Sequence, residues 1–268
     1  MIDAYGVHLG PLYIHFYALI LGLGILVGTW ITARRAKQYG YTADDVWDAL
    51  TWVFLPGLIG ARLYHVLTPT PASGITTQYY LEHPLEILAI WNGGLGIYGA
   101  IIGGALGLWV YTRRRHFSLP RMLDLAAPGI LLAQAIGRWG NFVNQELYGA
   151  PSTLPWAIYI SPEKRLPGYE QYSTFHPLFL YESIWNLLSM GLLLLVERRF
   201  RSSLRDGDLI LIYLILYGTG RFLLDFVRLD SNGIGPLTTA QWVSLSLSLA
   251  SGCILVIRHR QAQIQTQS

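Results

Sequence analysis

Apolar residues gather in seven long runs, near 12–30, 46–67, 88–111, 119–138, 178–196, 209–227 and 238–257. Each is close to the roughly 20 mainly apolar residues that a helix needs to cross the hydrocarbon of a bilayer. The pattern predicts an all-α integral membrane protein. Seven transmembrane helices make up one domain over residues 1–257, and a short Gln-rich tail over 258–268 is expected to be disordered. The first run is followed by its basic flank, Arg34, Arg35 and Lys37, whereas a cleavable signal carries that charge in front, so this run reads as a retained span. Residues 244–249 alternate Ser and Leu like a strand. An unpaired strand would leave its backbone groups unsatisfied in lipid, so a helix whose serines bond back to their own turn is expected instead.

Two polar breaks are longer than connectors. The insertion near 68–87 ends in Tyr79, Tyr80, Leu81 and Leu85, an amphipathic stretch suited to a membrane interface. The insertion near 140–177 is punctuated by Pro151, Pro155, Pro162, Pro167 and Gly168. Residues 156–160 read as a short strand, and a small periplasmic cap is expected there, because long structureless connections are uncommon in compact proteins.

Composition sharpens the class. Of 268 residues, 52% are hydrophobic and 13% charged, and the mean hydropathy is +0.37. A soluble domain carries about 25% charged residues. Disorder and a disulfide scaffold are excluded, and Cys253, the single cysteine, can form neither an internal disulfide nor a multi-cysteine metal site. It reads as a packed core cysteine. The net charge of +3 is small, with no sign of a nucleic-acid partner, and the placement of the charge is what informs. Thirteen of the 19 Lys and Arg residues fall in alternate connections and the tail: Arg34, Arg35, Lys37, Arg113, Arg114, Arg115, Arg121, Arg198, Arg199, Arg201, Arg205, Arg258 and Arg260. The N-terminus is therefore expected outside and the C-terminus in the cytoplasm.

Some apparent motifs carry no chemistry. Residues 94–99, Gly-Leu-Gly-Ile-Tyr-Gly, match a dinucleotide fingerprint but open a membrane span rather than follow a strand. Gly99, Gly103 and Gly107, like Gly24 and Gly28, are better read as close-approach points for a neighbouring helix. The histidines show no zinc spacing, and no serine nucleophile elbow is present.

The chemistry lies in three arginines inside the spans: Arg62, Arg138 and Arg221. Counted from the cytoplasmic ends, they sit at depths of roughly 24, 27 and 18 Å. Each alone reads as a snorkelling side chain or as a partner of Asp48, Asp124 or Asp225. Together, on three helices in the outer half, they predict a buried anion, and guanidinium forks suit phosphate. A phospholipid headgroup is the simplest such anion. The densest polar stretch, residues 137–149, Gly-Arg-Trp-Gly-Asn-Phe-Val-Asn-Gln-Glu-Leu-Tyr-Gly, places Arg138, Asn141, Asn144 and Glu146 where the fourth span ends.

On this stretch the chain resembles the prolipoprotein diacylglyceryl transferases. Supporting matches are residues 14–17 (Ile-His-Phe-Tyr), 60–62 (Gly-Ala-Arg), 91–94 (Trp-Asn-Gly-Gly) and 217–221 (Tyr-Gly-Thr-Gly-Arg), with His176-Pro177 and Tyr181-Glu182. The resemblance implies transfer of diacylglycerol from phosphatidylglycerol to the lipobox cysteine in the signal peptide of a prolipoprotein. A thioether forms and glycerol phosphate leaves, with no cofactor or metal. It also implies a multi-pass protein of the bacterial inner (plasma) membrane. Arg138 and Arg221 match the family's two essential arginines, Asn141, Glu146 and Gly149 match other signature positions, and Tyr17 matches a functional tyrosine. Tyr98 stands where many members carry a histidine proposed as base, and a neutral tyrosine, with pKa near 10, is a poor base at pH 7. Arg138, Asn141, Asn144, Glu146, Gly149, Tyr17, Arg62 and His15 are expected to bind substrate. Arg138, Arg221, Tyr98 and Asn141 are expected to carry catalysis, with His15 or His65 taking the proton. A seven-helix anion or lipid transporter without chemistry is the alternative, although the odd number of spans shows no internal repeat.

Overall fold

The computed structural model describes residues 5–9, 12–69, 75–229 and 233–267. Residues 70–74 of the expected first insertion lie outside the described residues. The chain divides into two compact units, one of Ala33–Met122 and one of Met1–Thr32 with Leu123–Ser268.

The long helices are α1 (Phe16–Arg35), α2 (Ala43–Leu67), α4 (Ile97–Arg114), α5 (Leu119–Asn144), α6 (Leu178–Phe200), α7 (Asp208–Leu224) and α8 (Thr239–Gln267); α3 (Thr77–Glu82) is a short one. Among the described residues, strands form antiparallel pairs: β1 (Gly6–Leu9) with β2 (Leu12–His15), β3 (Ile158–Tyr159) with β4 (Thr174–Phe175), and β5 (Gly233–Ile234) with β6 (Leu237–Thr238). Among the described residues, six helical segments are long and apolar enough to cross a membrane: Phe16–Tyr39, Ala43–Leu67, Leu119–Asn144, Leu178–Phe200, Asp208–Val227 and Thr239–Gln261. Leu19, Leu23 and Leu26 on α1 and Leu188, Leu192 and Leu195 on α6 are all exposed. Apolar bands of that kind suit hydrocarbon, not water.

Several expected boundaries move. Residues 12–15 pair as β2 with β1, so α1 begins at Phe16. The expected third span starts nine residues late, because α4 covers only Ile97–Arg114. Residues 84–92 instead form two 3₁₀ turns, followed by Gly93 and Gly94 at φ 82° and 71°, a backbone region that glycine adopts without strain. Where a disordered tail is expected, α8 runs on to Gln267 among the described residues. Gln and Ala propagate a helix once it is nucleated. Its cytoplasm-expected end is also tied down, with Arg258 donating to the Asp206 carbonyl (2.6 Å) and His259 meeting Asp208 at 2.7 Å.

In the unit Ala33–Met122, α2 and α4 form the main pair. A Cβ on Gly103 would run into the Pro56 carbonyl, one on Gly107 into the Trp52 carbonyl, and one on Gly99 into the Gly60 carbonyl. The expected glycine contact face is thus the α2–α4 seam. In the other unit α5 is central. Leu125, Ala127 and Leu131 are fully buried, and Gly129 lies against Gly28 of α1. Ser183 on α6 donates to the Ala135 carbonyl (3.0 Å), and Gln134 donates to the Tyr213 hydroxyl on α7 (3.0 Å). Asp124 accepts from the backbone N–H groups of Gly207 (2.6 Å) and Ile210 (2.8 Å), so a side chain of α5 caps the N-terminus of α7. On α8 the Ser-Leu alternation is helical, but Ser248 reaches across to the Ile215 carbonyl of α7 (3.4 Å) instead of its own turn. Cys253 is exposed rather than packed in the core, because the buried face of α8 is the one carrying Ser244 and Ser251.

The segment after α5 folds around Tyr148, Ile160 and Phe175. The Tyr148 hydroxyl donates to the Lys164 carbonyl (2.9 Å) and accepts from the Leu166 N–H (2.6 Å). The turn at Gly168 closes on Glu170, whose own N–H and that of Gly168 hold its carboxyl below the usual range.

Candidate active site

Helix α5 does not stop where the fourth apolar run ends. It continues to Asn144, so Arg138 and Asn141 lie one turn apart on a rigid helix rather than in a loop. Arg138 reaches α6, where its Nε meets Glu182 Oε2 at 2.6 Å. Arg221, near the end of α7, places Nη1 3.5 Å from Glu182 Oε1 and Nη2 3.1 Å from Asp225 Oδ1. The guanidinium groups of Arg138 and Arg221 are therefore gathered on one carboxylate, whose side chain is 8% exposed. Asp225 is fully buried and accepts as well from the Thr238 hydroxyl at the start of α8. Thr238 and Gln241 bond reciprocally, with Thr238 N–H donating to Gln241 Oε1 (2.9 Å) and Gln241 N–H to Thr238 Oγ1 (3.0 Å). Buried charges of this kind persist only when paired, and here each arginine has a carboxylate.

From the arginines a polar chain leads outward. Arg138 Nη1 lies 3.4 Å from Asn141 Oδ1, and the buried Asn141 donates to Glu146 Oε1 at 2.8 Å. Glu146 is flanked by Gln145 and Leu147, both non-glycine residues at positive φ (52° and 54°). Such backbone costs about 1–3 kcal/mol per residue and collects at functional sites. It is held here by the Gln145 side chain, which accepts from the Ser161 N–H (2.7 Å). Asn144, Gln145, Glu146 and Leu147 line a cavity of about 640 Å³, together with Tyr5, Tyr13, His15 and Lys164. His15 stacks edge-on to Tyr13, and Lys164 sits over the Tyr5 ring.

Two glycines admit this packing. The Tyr17 ring covers Gly140, where a Cβ would lie 2.7 Å from Tyr17 Cδ2. Gly149 is wedged between Val227 and His176, with its N–H donating to the His176 carbonyl (3.0 Å). The residues expected in the fourth-span signature, with Tyr17, His15 and Arg221, thus come together in one unit.

Tyr98 and Arg62 belong to the other unit. Tyr98 stands in the first turn of α4, exposed, with its ring 5.7 Å from that of Tyr64. Arg62 is corrected. Its Nε donates to the Ile87 carbonyl (2.9 Å), Nη1 to those of Gly93 (2.7 Å) and Gly94 (3.0 Å), and Nη2 to that of Glu86 (2.6 Å). Four carbonyls thus accept from Arg62, which holds the loop before α4. His65 Nε2 lies 3.2 Å from the Tyr80 hydroxyl. Sequence reasoning missed Glu182 as the bridge between the arginines. For Asp225 a signal existed, its i, i+4 spacing from Arg221. Among the described residues no group of His, Cys, Asp and Glu is placed to hold a metal ion.

Comparison with known proteins gives the same direction. The family model for prolipoprotein diacylglyceryl transferase matches residues 5–257. The phosphatidylglycerol–prolipoprotein diacylglyceryl transferase of Gloeobacter violaceus is 43% identical, over 90% of this chain and 87% of that protein. Those of Chloroflexus aggregans and Trichormus variabilis are each 38% identical, over 94% and 95% of this chain and 87% and 90% of theirs. The longer Frankia alni protein is 44% identical, with 66% of its length matched. The chain belongs to the prolipoprotein diacylglyceryl transferase family.

Proposed function

We propose that this chain transfers the diacylglyceryl group of phosphatidylglycerol to the lipobox cysteine thiol of a prolipoprotein signal peptide. The observation that carries this reading is the pairing of Arg138 and Arg221 on Glu182, at the head of a polar chain that ends in the cavity at Glu146. The thiol sulfur forms a bond to the glycerol carbon, the bond from that carbon to the phosphate oxygen breaks, and glycerol phosphate departs with the electron pair. The phosphate goes from a monoanionic diester to a monoester that takes on further negative charge. Arg138 and Arg221 offset that charge as it develops, which is stronger in the transition state than in the ground state. Asn141 and Glu146, with Asn144, orient headgroup and peptide, and Tyr17 and Gly149 shape the approach. Tyr98 supplies a hydrogen bond, and His15 or His65 accepts the thiol proton. The nucleophile comes from the substrate, so the enzyme needs no reactive cysteine of its own.

The chain spans the bacterial inner membrane seven times in this reading, with α4 as the additional span. Its 18 residues reach about 27 Å, close to the hydrocarbon thickness, while its glycines and terminal arginines dilute its apolar character. The excess of Lys and Arg in alternate connections sets the N-terminus and the segment 140–177 outside and the C-terminus in the cytoplasm.

The test is release of glycerol phosphate by the purified protein from phosphatidylglycerol vesicles, with a lipobox peptide and its Cys→Ser counterpart. Release with the cysteine peptide alone is expected. Release without it, or none with either, contradicts the proposal.

A further inference from the structure

Glu182 is, among the described residues, the carboxylate that touches both arginines. Its Oε2 lies 2.6 Å from Arg138 Nε and its Oε1 3.5 Å from Arg221 Nη1. Two oxygens bridging two guanidinium groups is the arrangement a phosphate would also adopt. Before any ligand arrives, Arg138 and Arg221 already face the carboxylates of Glu182 and Asp225. The two carboxylates differ in what they hold. Asp225 sits one turn from Arg221 on the same stretch of chain and is shared with Thr238, whereas Glu182 comes from α6 and links Arg138 of α5 to Arg221 of α7.

We propose that Glu182 is a built-in counter-anion. It positions Arg138 and Arg221 side by side, and by competing for them it limits how tightly the departing glycerol phosphate is held. The inference rests on the reading that these arginines grip the phosphate. Two guanidinium groups repel each other unless an anion lies between them, so a site emptied of substrate needs an internal one. That anion also decides turnover. A phosphate monoester carries close to two charges at neutral pH, against one on the phosphodiester substrate. A bare pair of arginines would therefore hold the product more tightly than the substrate. Sharing Arg138 and Arg221 with Glu182 weakens ground-state binding of both anions and speeds release. Engaging Arg138 through Nε leaves its outer nitrogens, of which Nη1 faces Asn141, for the ligand.

The experiment measures kcat, KM for phosphatidylglycerol, and inhibition by added glycerol phosphate, using the full chain in vesicles with a lipobox peptide. Glu182→Gln and Glu182→Ala remove the charge, and Glu182→Asp keeps it. Both neutral variants are expected to be inhibited at least tenfold more tightly by glycerol phosphate, with KM lowered and kcat reduced tenfold or more. Glu182→Asp is expected to return the inhibition constant to within about threefold of wild type. A merely structural glutamate would lower kcat without tightening inhibition. Unchanged or weaker inhibition in the neutral variants overturns the proposal, as does failure of both to fold. If wild type neither releases glycerol phosphate nor is inhibited by it, the transferase reading itself fails. If wild type turns over and is inhibited like the variants, only the role of Glu182 falls.

Discussion

Arg138 and Arg221 keep their charge inside apolar helices because carboxylates on α6 and beyond α7 meet them, and removing either partner of such a pair is expected to cost about 3–5 kcal/mol. Asn141 is the joint between Arg138 and Glu146, giving its carbonyl oxygen to one and its amide N–H to the other. Asn141→Ala removes both contacts and should lower kcat/KM about thirtyfold, since each hydrogen bond contributes about 1 kcal/mol. Asn141→Asp sets a second carboxylate against Glu146 and should lower it further; an Asp variant as active as the Ala variant would show that this bond does not matter. Tyr98→Phe deletes only a hydroxyl. Turnover should fall about tenfold with KM for phosphatidylglycerol retained, and an unchanged rate would remove Tyr98 from the mechanism. The arginines were legible because charge in an apolar run is costly and so stands out. Their bridge was not, because Glu182 lies on a different helix and nothing in local spacing pairs it with Arg138. Arg62 stood out equally, yet its partners are backbone carbonyls, which no side-chain pattern reveals.

Hydrophobic periodicity located every long helix but not every end. Helix α5 outruns its apolar segment to end at Asn144, and that overrun is what makes Arg138, Asn141 and Asn144 a rigid array. The start of α4 is delayed by Gly93 and Gly94, whose carbonyls Arg62 binds. The glycine spacing at Gly99, Gly103 and Gly107 did foretell a close helix pair, since only glycine lets the α2 backbone approach. Capping across elements was invisible in the sequence. Asp124, on α5, reads as one more charge near a span end, yet it satisfies two backbone N–H groups at the start of α7. Asp124→Ala leaves both unmet and should destabilise the protein by about 2–3 kcal/mol, with Asp124→Asn intermediate. Thermal unfolding in detergent checks this, and a midpoint equal to wild type in Asp124→Ala would contradict the capping role.

At the scale of the molecule, the sequence marked a membrane protein through its missing charge and its apolar runs, and the described residues include six helices long and apolar enough to cross a membrane. Physics alone reached an anion site among helices; the identity of the anion and of the acceptor came from resemblance, and family membership now supports it. What stayed hidden is tertiary: Glu182 set between the two arginines, and the strained turn that presents Glu146 to a cavity. The measurement that tests the account most directly is the mass of a lipobox peptide after incubation with phosphatidylglycerol and purified protein, for wild type, Arg138→Ala and Arg221→Ala. Wild type should add one diacylglyceryl group to the cysteine, and each variant, still folded, should do so about 10²–10³-fold more slowly or not at all. An unmodified peptide with wild type, or variants that modify it at the wild-type rate, would contradict the account.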